Sequence, residues 1–571
     1  MIQVKPSSFR YLFLAVGMVL PPACYAQDTP SAGRLQQQIE RDQQLNKKPQ
    51  ALPKPTAPTN IATPTSGQTV VVNAFKFEGN TLLSNDELQA AVAPLLGRAL
   101  DFAKLQSSAL VVGDLYRSKG WVVQAYLPEQ DITQGVVTIA ITEAVFGQTL
   151  IAGAPAALIF SKELLSIFAH QQKSDQFVDI NAIDRALLLA DDLPGVKVSG
   201  ALSQGSKAGQ TDLVLQLADE PRANGSFMAD NTGAVSTGTQ RVLATANINS
   251  PTLRGDVINL SGMLTLGSQY LRAAYSVPVT PYGVRFGVNA SRLDYQLISD
   301  DYKSLKASGN STASGIELSY PMVRSRTFNL NTSLTADKKD FYNVSGENIT
   351  SAYNNMPVSL GISGNSFDAW GGGGANALTL VFMSGQLNLN GSPNQAADAS
   401  TTQTEGNYGK ARYSLSRQQQ INPQLSFYTA LSGQWANKNL DSSEKFYLGG
   451  SSGVRAYPTG EGGGTLGHML NLELRWQMAE SWNLTGFYDY GGITNNIRND
   501  FAGASPINTY TLDGAGMVLS WRNSAGAAVQ ATYAKRLADN PNPITTPGNY
   551  GADQDGTRTV DRFWISASLA F

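Results

Sequence analysis

Leu470-Asn471-Leu472-Glu473-Leu474-Arg475-Trp476-Gln477 sets an apolar side chain at every even position and a polar or charged one at every odd position. Successive side chains of a β-strand point to opposite faces, so this period of two marks a strand with one oily and one wet face. The period recurs in Leu425, Phe427 and Leu431, interleaved with Ser426 and Ser432. It recurs in Trp482, Leu484 and Tyr488 against Asn483, Thr485 and Asp489, and in Phe563, Ile565, Ala567, Leu569 and Phe571. From Pro221 onward no helical period competes with it.

A soluble sandwich alternates too. Here the apolar face carries Trp476, Trp482 and Tyr488 near strand ends, where membrane interfaces favour aromatic rings. The polar face gathers Glu473, Arg475 and Asp489 on adjacent strands, which suits a charged lumen better than a plain solvent face. No later segment approaches 18 consecutive apolar residues, so a membrane form must be a closed barrel. Roughly 350 residues at about ten per strand, with long loops such as Asn390 to Gly409 and Asp539 to Thr557, accommodate about 12 to 18 antiparallel strands.

Composition agrees. Charged residues make up only 15% of the 571, against about 25% in ordinary soluble domains, and there are 54 Gly, 22 Tyr, 21 Phe and 7 Trp. A net charge of −2 gives no basic footprint for nucleic acid. The single cysteine, Cys24, excludes a disulfide framework and a cysteine metal site.

Residues 1–26 read as a signal peptide. Lys5 and Arg10 precede the apolar run Tyr11 to Leu20, and Cys24-Tyr25-Ala26 offers small residues before a cut at Gln27. Acylation at Cys24 is the alternative, which Pro21 and Pro22 fit badly. Residues 27–46 hold a mostly polar helix, with Leu35, Ile39 and Leu45 near helical spacing; a disordered tail is the competing reading. Residues 47–68, with Pro49, Pro53, Pro55, Pro58 and Pro64, form an extended linker reaching on the order of 60 Å.

Two α/β units follow. In 69–145 the order is strand, two helices, two strands, with helices at Asn85 to Ala93 and Leu105 to Lys119. Residues 146–221 repeat the plan, with Asp192-Leu193-Pro194-Gly195-Val196 turning helix into strand. The barrel occupies 222–571.

Catalysis finds no support. His170 and His468 are the only histidines, no carboxylate pattern around them suggests a metal, and no Gly-x-Ser-x-Gly elbow occurs. The glycine runs Gly371 to Gly374 and Gly462 to Gly464 lack the strand, helix and Lys-Ser of a phosphate loop. Neither a cofactor nor a metal is expected, and the chain reads as a non-enzyme.

One loop does stand out. In Leu448-Gly449-Gly450-Ser451-Ser452-Gly453-Val454-Arg455-Ala456-Tyr457-Pro458 a single arginine lies among glycines, and Gly486-Phe487-Tyr488-Asp489-Tyr490-Gly491 aims Asp489 at the lumen. If the loop folds inward, Arg455 and Asp489 form a bidentate pair. Otherwise Arg455 is an exposed loop residue and Asp489 a solvated wall residue.

Val454-Arg455-Ala456-Tyr457 resembles the Val-Arg-Gly-Tyr/Phe tip of the sixth outer loop in the outer-membrane transporters of two-partner secretion, the TpsB proteins such as FhaC and ShlB. Phe487-x-Asp489-x-Gly491 resembles their Phe-x-Asp-x-Gly strand motif. Phe77-Glu78-Gly79-Asn80, Leu193-Pro194-Gly195-Val196 and Asp230-Asn231-x-Gly233 are similar to further marks of that family, which lies in the BamA-like superfamily. The resemblance implies a mainly β chain: a 16-stranded antiparallel transmembrane β-barrel preceded by two α+β polypeptide-transport-associated (POTRA) domains and an N-terminal plug helix. It implies that the loop folds inward and that Arg455 meets Asp489. Ala456 departs from the family's Gly, at a cost on the order of 1 kcal/mol if that position needs positive φ.

The function so implied is secretion of a large partner exoprotein, of adhesin or haemolysin type, across a Gram-negative outer membrane. The POTRA domains stand in the periplasm and bind the unfolded partner, by strand addition to sheet edges. Outer-membrane lipids and the barrel-assembly machinery are the other expected partners, and nucleic acid is not one. With no nucleotide site in view, folding of the partner outside is left as the drive. The alternative is a BamA-like insertase; a small-solute porin would need neither α/β unit.

Overall fold

The computed structural model describes residues 30–45, 69–207, 209–545 and 549–571. The signal-peptide reading at 1–26 and the linker at 47–68 lie outside the described residues.

Sixteen antiparallel strands close into one barrel, from Ala223–Asp230 to Asp561–Ala570. Every neighbour pair but one is consecutive among these strands; the exception is the closure itself. There Ser566 to Ala570 pair with Asp230 to Ser226, and Phe571 and Gly225 exchange two backbone hydrogen bonds of 3.0 Å. Closure leaves no unpaired edge, which a hydrocarbon environment requires. The alternation sorts the wall as its residues dictate. Leu474, Trp476, Leu431, Phe427, Phe563 and Ile565 are exposed outward, while Asp489 is buried and Glu473 half-buried on the inward face.

The strands differ in length. The first has 8 residues, but Ala307–Arg324 and Phe328–Ser345 have 18 each and Asn348–Asp368 has 21. A tilted strand needs only about 9–11 residues to cross the bilayer. The 18-residue hairpin therefore stands proud of the membrane. Ser319 is the last residue of Ala307–Arg324 paired with the preceding strand, so Tyr320 to Arg324 project beyond it. No helix is expected beyond Pro221, yet short helical turns occur at Asp300–Lys303, Trp370–Gly372 and Gln395–Ser400. All three lie in connections between strands, too short to show a periodicity.

Two small units precede the barrel. In the first, Val136–Glu143 is the central strand, parallel to Ala74–Glu78 and antiparallel to Val123–Tyr126. Helices Asn85–Val92 and Phe102–Ser118 bury Leu88, Val92, Leu105, Val112 and Tyr116 against Val137, Ile139 and Ile141. The first helix starts on a capping box, Ser84 with Glu87, and the second on Asp101, which accepts from Lys104 N. Gly79 has φ +90, and a Cβ there would stand 2.2 Å from Ile141 O, so only glycine fits this turn.

The second unit repeats the order, with Gln210–Asp219 central between Val145–Ala152 and Val196–Gln204. Its helices Ser161–Gln171 and Ile180–Asp191 cover a separate core of Leu164, Phe168, Ile183, Leu189, Leu213 and Leu215. The helix Ile180–Asp191 rests on the projecting hairpin. Arg324 pairs with Asp192 at 2.7 and 2.8 Å, Arg326 with Asp184 at 3.0 and 3.2 Å, and Arg185 donates to Pro321 O at 2.7 Å.

Candidate functional site

The connection between strands Leu425–Ala436 and Leu466–Ala479 turns back into the barrel. Phe446–Tyr447 pairs with Gly463–Gly464, and Leu448 and Gly449 both donate to Glu461 O, making a narrow hairpin. Its tip is apolar and fully enclosed: Leu448, Val454, Ala456 and Tyr457 are each 0% exposed, packed with Met469, Phe487 and Leu512.

At the tip the structure brings Arg455 onto Asp489. Asp489 Oδ2 accepts from Arg455 N at 3.0 Å and from Nε at 2.8 Å, and Oδ1 accepts from Nη2 at 2.7 Å. The Phe487 ring lies under the guanidinium, 3.6 Å from its carbon, a close cation–π contact. Gly491 is small for a steric reason, since a Cβ there would come within 2.6 Å of Leu448 Cδ2. Phe487, Asp489 and Gly491 thus meet the loop with a ring, a carboxylate and a gap. Tyr457 reaches Ala538 O at 3.4 Å and stacks under Arg536 at 4.5 Å.

Two partners of Arg455 escape a reading by sequence. Glu473 Oε1 accepts from Nη1 at 2.9 Å, and Trp564 Nε1 donates to Arg455 O at 2.8 Å. Inward alternation signals Glu473, but nothing local signals Trp564, which arrives with the closing strand. Ala456 is absent from the residues with positive φ, so the strain feared for alanine does not arise. Its Cβ faces Gly514, where a second Cβ would stand only 2.5 Å away. Glycine on the wall makes room for alanine in the loop.

The helix Ala32–Leu45 lies inside the same lumen. Ala32, Leu35 and Ile39 pack on Tyr270, Leu293, Tyr295, Phe341 and Tyr353, so the helix has an apolar stripe after all. Its charges are paired with the wall: Glu40 with Lys339 at 2.9 Å and Asp42 with Arg241 at 2.8 Å. Arg241 also holds Asp230, at 2.9 Å. The helix touches the inward hairpin as well, through Arg34 Nη2 to Gly460 O at 2.8 Å and Arg41 to Tyr447 O. Lys339 and Arg241 are scattered over the sequence and carry no motif, while Asp230 belongs to Asp230-Asn231-x-Gly233.

His170 Nδ1 meets Ser166 O of its own helix at 2.8 Å, and His468 lies near Tyr490, in keeping with plain polar roles. Among the described residues no group of three or more His, Cys, Asp or Glu could hold a metal ion.

The family model for haemolysin secretion/activation protein ShlB/FhaC/HecB matches residues 209–516. The chain belongs to this family. A second model, the POTRA domain of ShlB type, matches residues 70–144. The chain is similar to the heme/hemopexin transporter protein HuxB of Haemophilus influenzae, 26% identical over 98% of each chain. It is also similar to the outer membrane transporter CdiB of Escherichia coli, 23% identical over 72% of this chain and 70% of that one. In fold it matches the solved structure of CdiB from E. coli, with a TM-score of 0.68 at 20% identity over 96% of this chain and 100% of that one. BamA from Haemophilus ducreyi lacking POTRA domains 1–3 matches with a TM-score of 0.53 at 14% identity, over 88% of this chain and 100% of that one. As a member of the ShlB/FhaC/HecB family, the protein is an outer-membrane transporter of two-partner secretion that exports a partner protein, with its POTRA domains in the periplasm.

Proposed function

We propose that the chain is a gated conduit for one large exoprotein of adhesin or haemolysin type, with the helix in residues 27–46 as its resting plug. What supports this reading is the seat of that helix, whose Glu40 and Asp42 pair with Lys339 and Arg241 of the wall. A polypeptide cannot thread a lumen already filled by a helix, so transport requires the helix to leave. Ion pairs in a wet lumen suit that purpose. Separated, each charge regains water, so the ion pairs add little to the cost of release, most of which lies in the apolar stripe of Ala32, Leu35 and Ile39.

The inward hairpin carries Val454, Arg455, Ala456 and Tyr457, and we assign it a permanent position fixed by Asp489 and Phe487. The units at 69–145 and 146–221 receive the unfolded partner, by adding its strand to a sheet edge. The barrel at 222–571 sits in outer-membrane lipid and is inserted there by the cell's barrel-assembly machinery. Folding of the partner outside pulls it through.

Deleting the gene and comparing culture supernatants with outer-membrane fractions tests the assignment. One large exoprotein missing from the medium is the expected result. Broad loss of outer-membrane barrels would instead identify an insertase.

A further inference from the structure

The two halves of the lumen differ in chemistry. Around the helix and the hairpin the wall is charged: Arg241, Lys339, Lys410, Glu473 and Asp489 all make ion pairs there, Lys410 with Glu444 of the inward loop. Toward the periplasm the wall of five neighbouring strands is neutral. Asn331 pairs in register with Ser363, Ser363 with Thr379, Thr379 with Ser414, and Ser414 with Ser432. These five form one hydrogen-bonding row around the barrel. One step nearer the periplasm Asn329, Asn365, Ala377 and Ser416 form a second.

A cavity of about 620 Å³ lies over Asn331, Ser363 and Thr379 of the first row and over all four residues of the second. Its only charged lining residues are Asp192 of the second POTRA unit and Arg324 of the projecting hairpin, which neutralise each other across 2.7 Å. The cavity therefore begins where the periplasmic unit docks and continues up the lumen wall. Asn329 is already engaged, its Oδ1 accepting from Arg324 and Ser325 and its Nδ2 donating to Asn365. Asn331, Ser363, Thr379 and Ser416 make no side-chain hydrogen bond to another described residue, so their donors and acceptors face the cavity.

We propose that this cavity is the docking site where an extended segment of the transported protein first engages the barrel, held by hydrogen bonds from its main chain to Asn331, Ser363, Thr379 and Ser416. The proposal rests on the translocation reading and adds where, and by what chemistry, the partner is taken over from the POTRA units. Neutral amides and hydroxyls recognise peptide groups, which every segment carries, whereas a charged wall would favour some segments and repel others. The spacing also suits passage. Neighbours in a row are one strand apart, about 4.8 Å, while an extended chain repeats its residues every 3.3 Å or so. The two periods do not match, so few of the bonds form at once and none locks the chain in register.

The test uses the full chain, purified in phosphatidylethanolamine vesicles, with a photoreactive phenylalanine analogue in place of Ser363, Thr379 or Gln530. Gln530 faces the lumen from a strand seven places around the ring from Asn348–Asp368. The probe is a biotinylated, unstructured Ser-, Thr- and Gly-rich peptide, with a backbone N-methylated copy as its control. The Ser363 and Thr379 variants should take up biotin several-fold more than the Gln530 variant, and N-methylation should abolish most of the excess. Equal labelling at all three positions, or labelling indifferent to N-methylation, overturns the proposal. The gene-deletion experiment stands apart from this result: an exoprotein lost from the medium while the cavity stays unlabelled refutes the docking site and leaves translocation intact.

Discussion

Arg455 offers three nitrogens of one residue, its backbone N, Nε and Nη2, to the single carboxylate of Asp489, at 2.7 to 3.0 Å. Loop and wall are thereby joined at a buried point with directional bonds. A fork of donors in a plane can be satisfied only by a carboxylate at the right place, so the pair fixes orientation as well as proximity.

Arg455→Ala removes the guanidinium and leaves Asp489 buried with two neutral donors, the backbone N of residue 455 at 3.0 Å and Asn471 Nδ2 at 2.8 Å. Breaking a buried pair from one side costs about 3–5 kcal/mol. The sixteen strands keep their own ladder, so the barrel should still insert, which heat-modifiable electrophoretic mobility checks. Secretion of the partner into the medium should fall sharply. Arg455→Lys should not restore it, because an ammonium cannot reproduce the fork.

Removing residues 31–45 should raise ion conductance in planar bilayers; conductance equal to that of the intact chain would refute the plug. Lys339→Glu should raise it too, by setting two carboxylates against each other at Glu40. The double variant Glu40→Lys with Lys339→Glu should return conductance toward the starting level.

Ala456→Gly should be nearly silent, since Ala456 needs no positive φ. Gly514→Ala should not be. Its new Cβ would stand 2.5 Å from Ala456 Cβ, and overpacking of this kind costs about 1–3 kcal/mol. Secretion by Gly514→Ala should recover when combined with Ala456→Gly.

Glu143 of the first POTRA unit is buried, which by itself raises a carboxyl pKa. Its donors outweigh that: Thr81 N and Leu82 N at 2.8 Å, Tyr116 Oη at 2.9 Å and the Thr81 hydroxyl hold it below the ordinary carboxylate value. A depressed folded pKa gives stability that is present above the unfolded value, about 4.3, and is lost as pH falls through the folded one. Hydrogen exchange in residues 81–116, taken relative to the intrinsic amide rate at each pH, should accelerate below about pH 4 in the wild-type chain. In Glu143→Gln it should be faster at neutral pH and less sensitive to acid.

Arg326 meets Asp184 of the helix Ile180–Asp191 and Arg324 meets Asp192 at its C-terminal cap, but both carboxylates are partly open to water. Exposed pairs contribute about 0–1 kcal/mol each. Arg324→Ala should therefore loosen the second POTRA unit only slightly, and Arg324→Ala with Arg326→Ala should broaden spin-label distances between that unit and the barrel. High salt should produce the same broadening in the wild-type chain.

The barrel was legible in the sequence because strand alternation is local. Leu470 to Gln477 announces its two faces within eight residues, whatever lies across from it. The order of the POTRA units was legible too, since caps, breakers and apolar periods are written within each element. Arg455 and Asp489 stood out for a different reason: an arginine among glycines and an inward carboxylate are both unusual locally, and their pattern resembled a known family.

What no local pattern carries is the identity of partners brought together by closure. Trp564 reaches Arg455 O only because the last strand seals the ring. Arg241 and Lys339 find Asp42 and Glu40 only because the N-terminal helix lies in the lumen. The neutral rows beginning at Asn331 and Asn329 exist only in register, where residues from successive strands fall side by side. Sequence set the two faces of each strand through backbone geometry. Tertiary structure chose which inward residues meet, because strand register and ring closure are decided by the whole barrel at once.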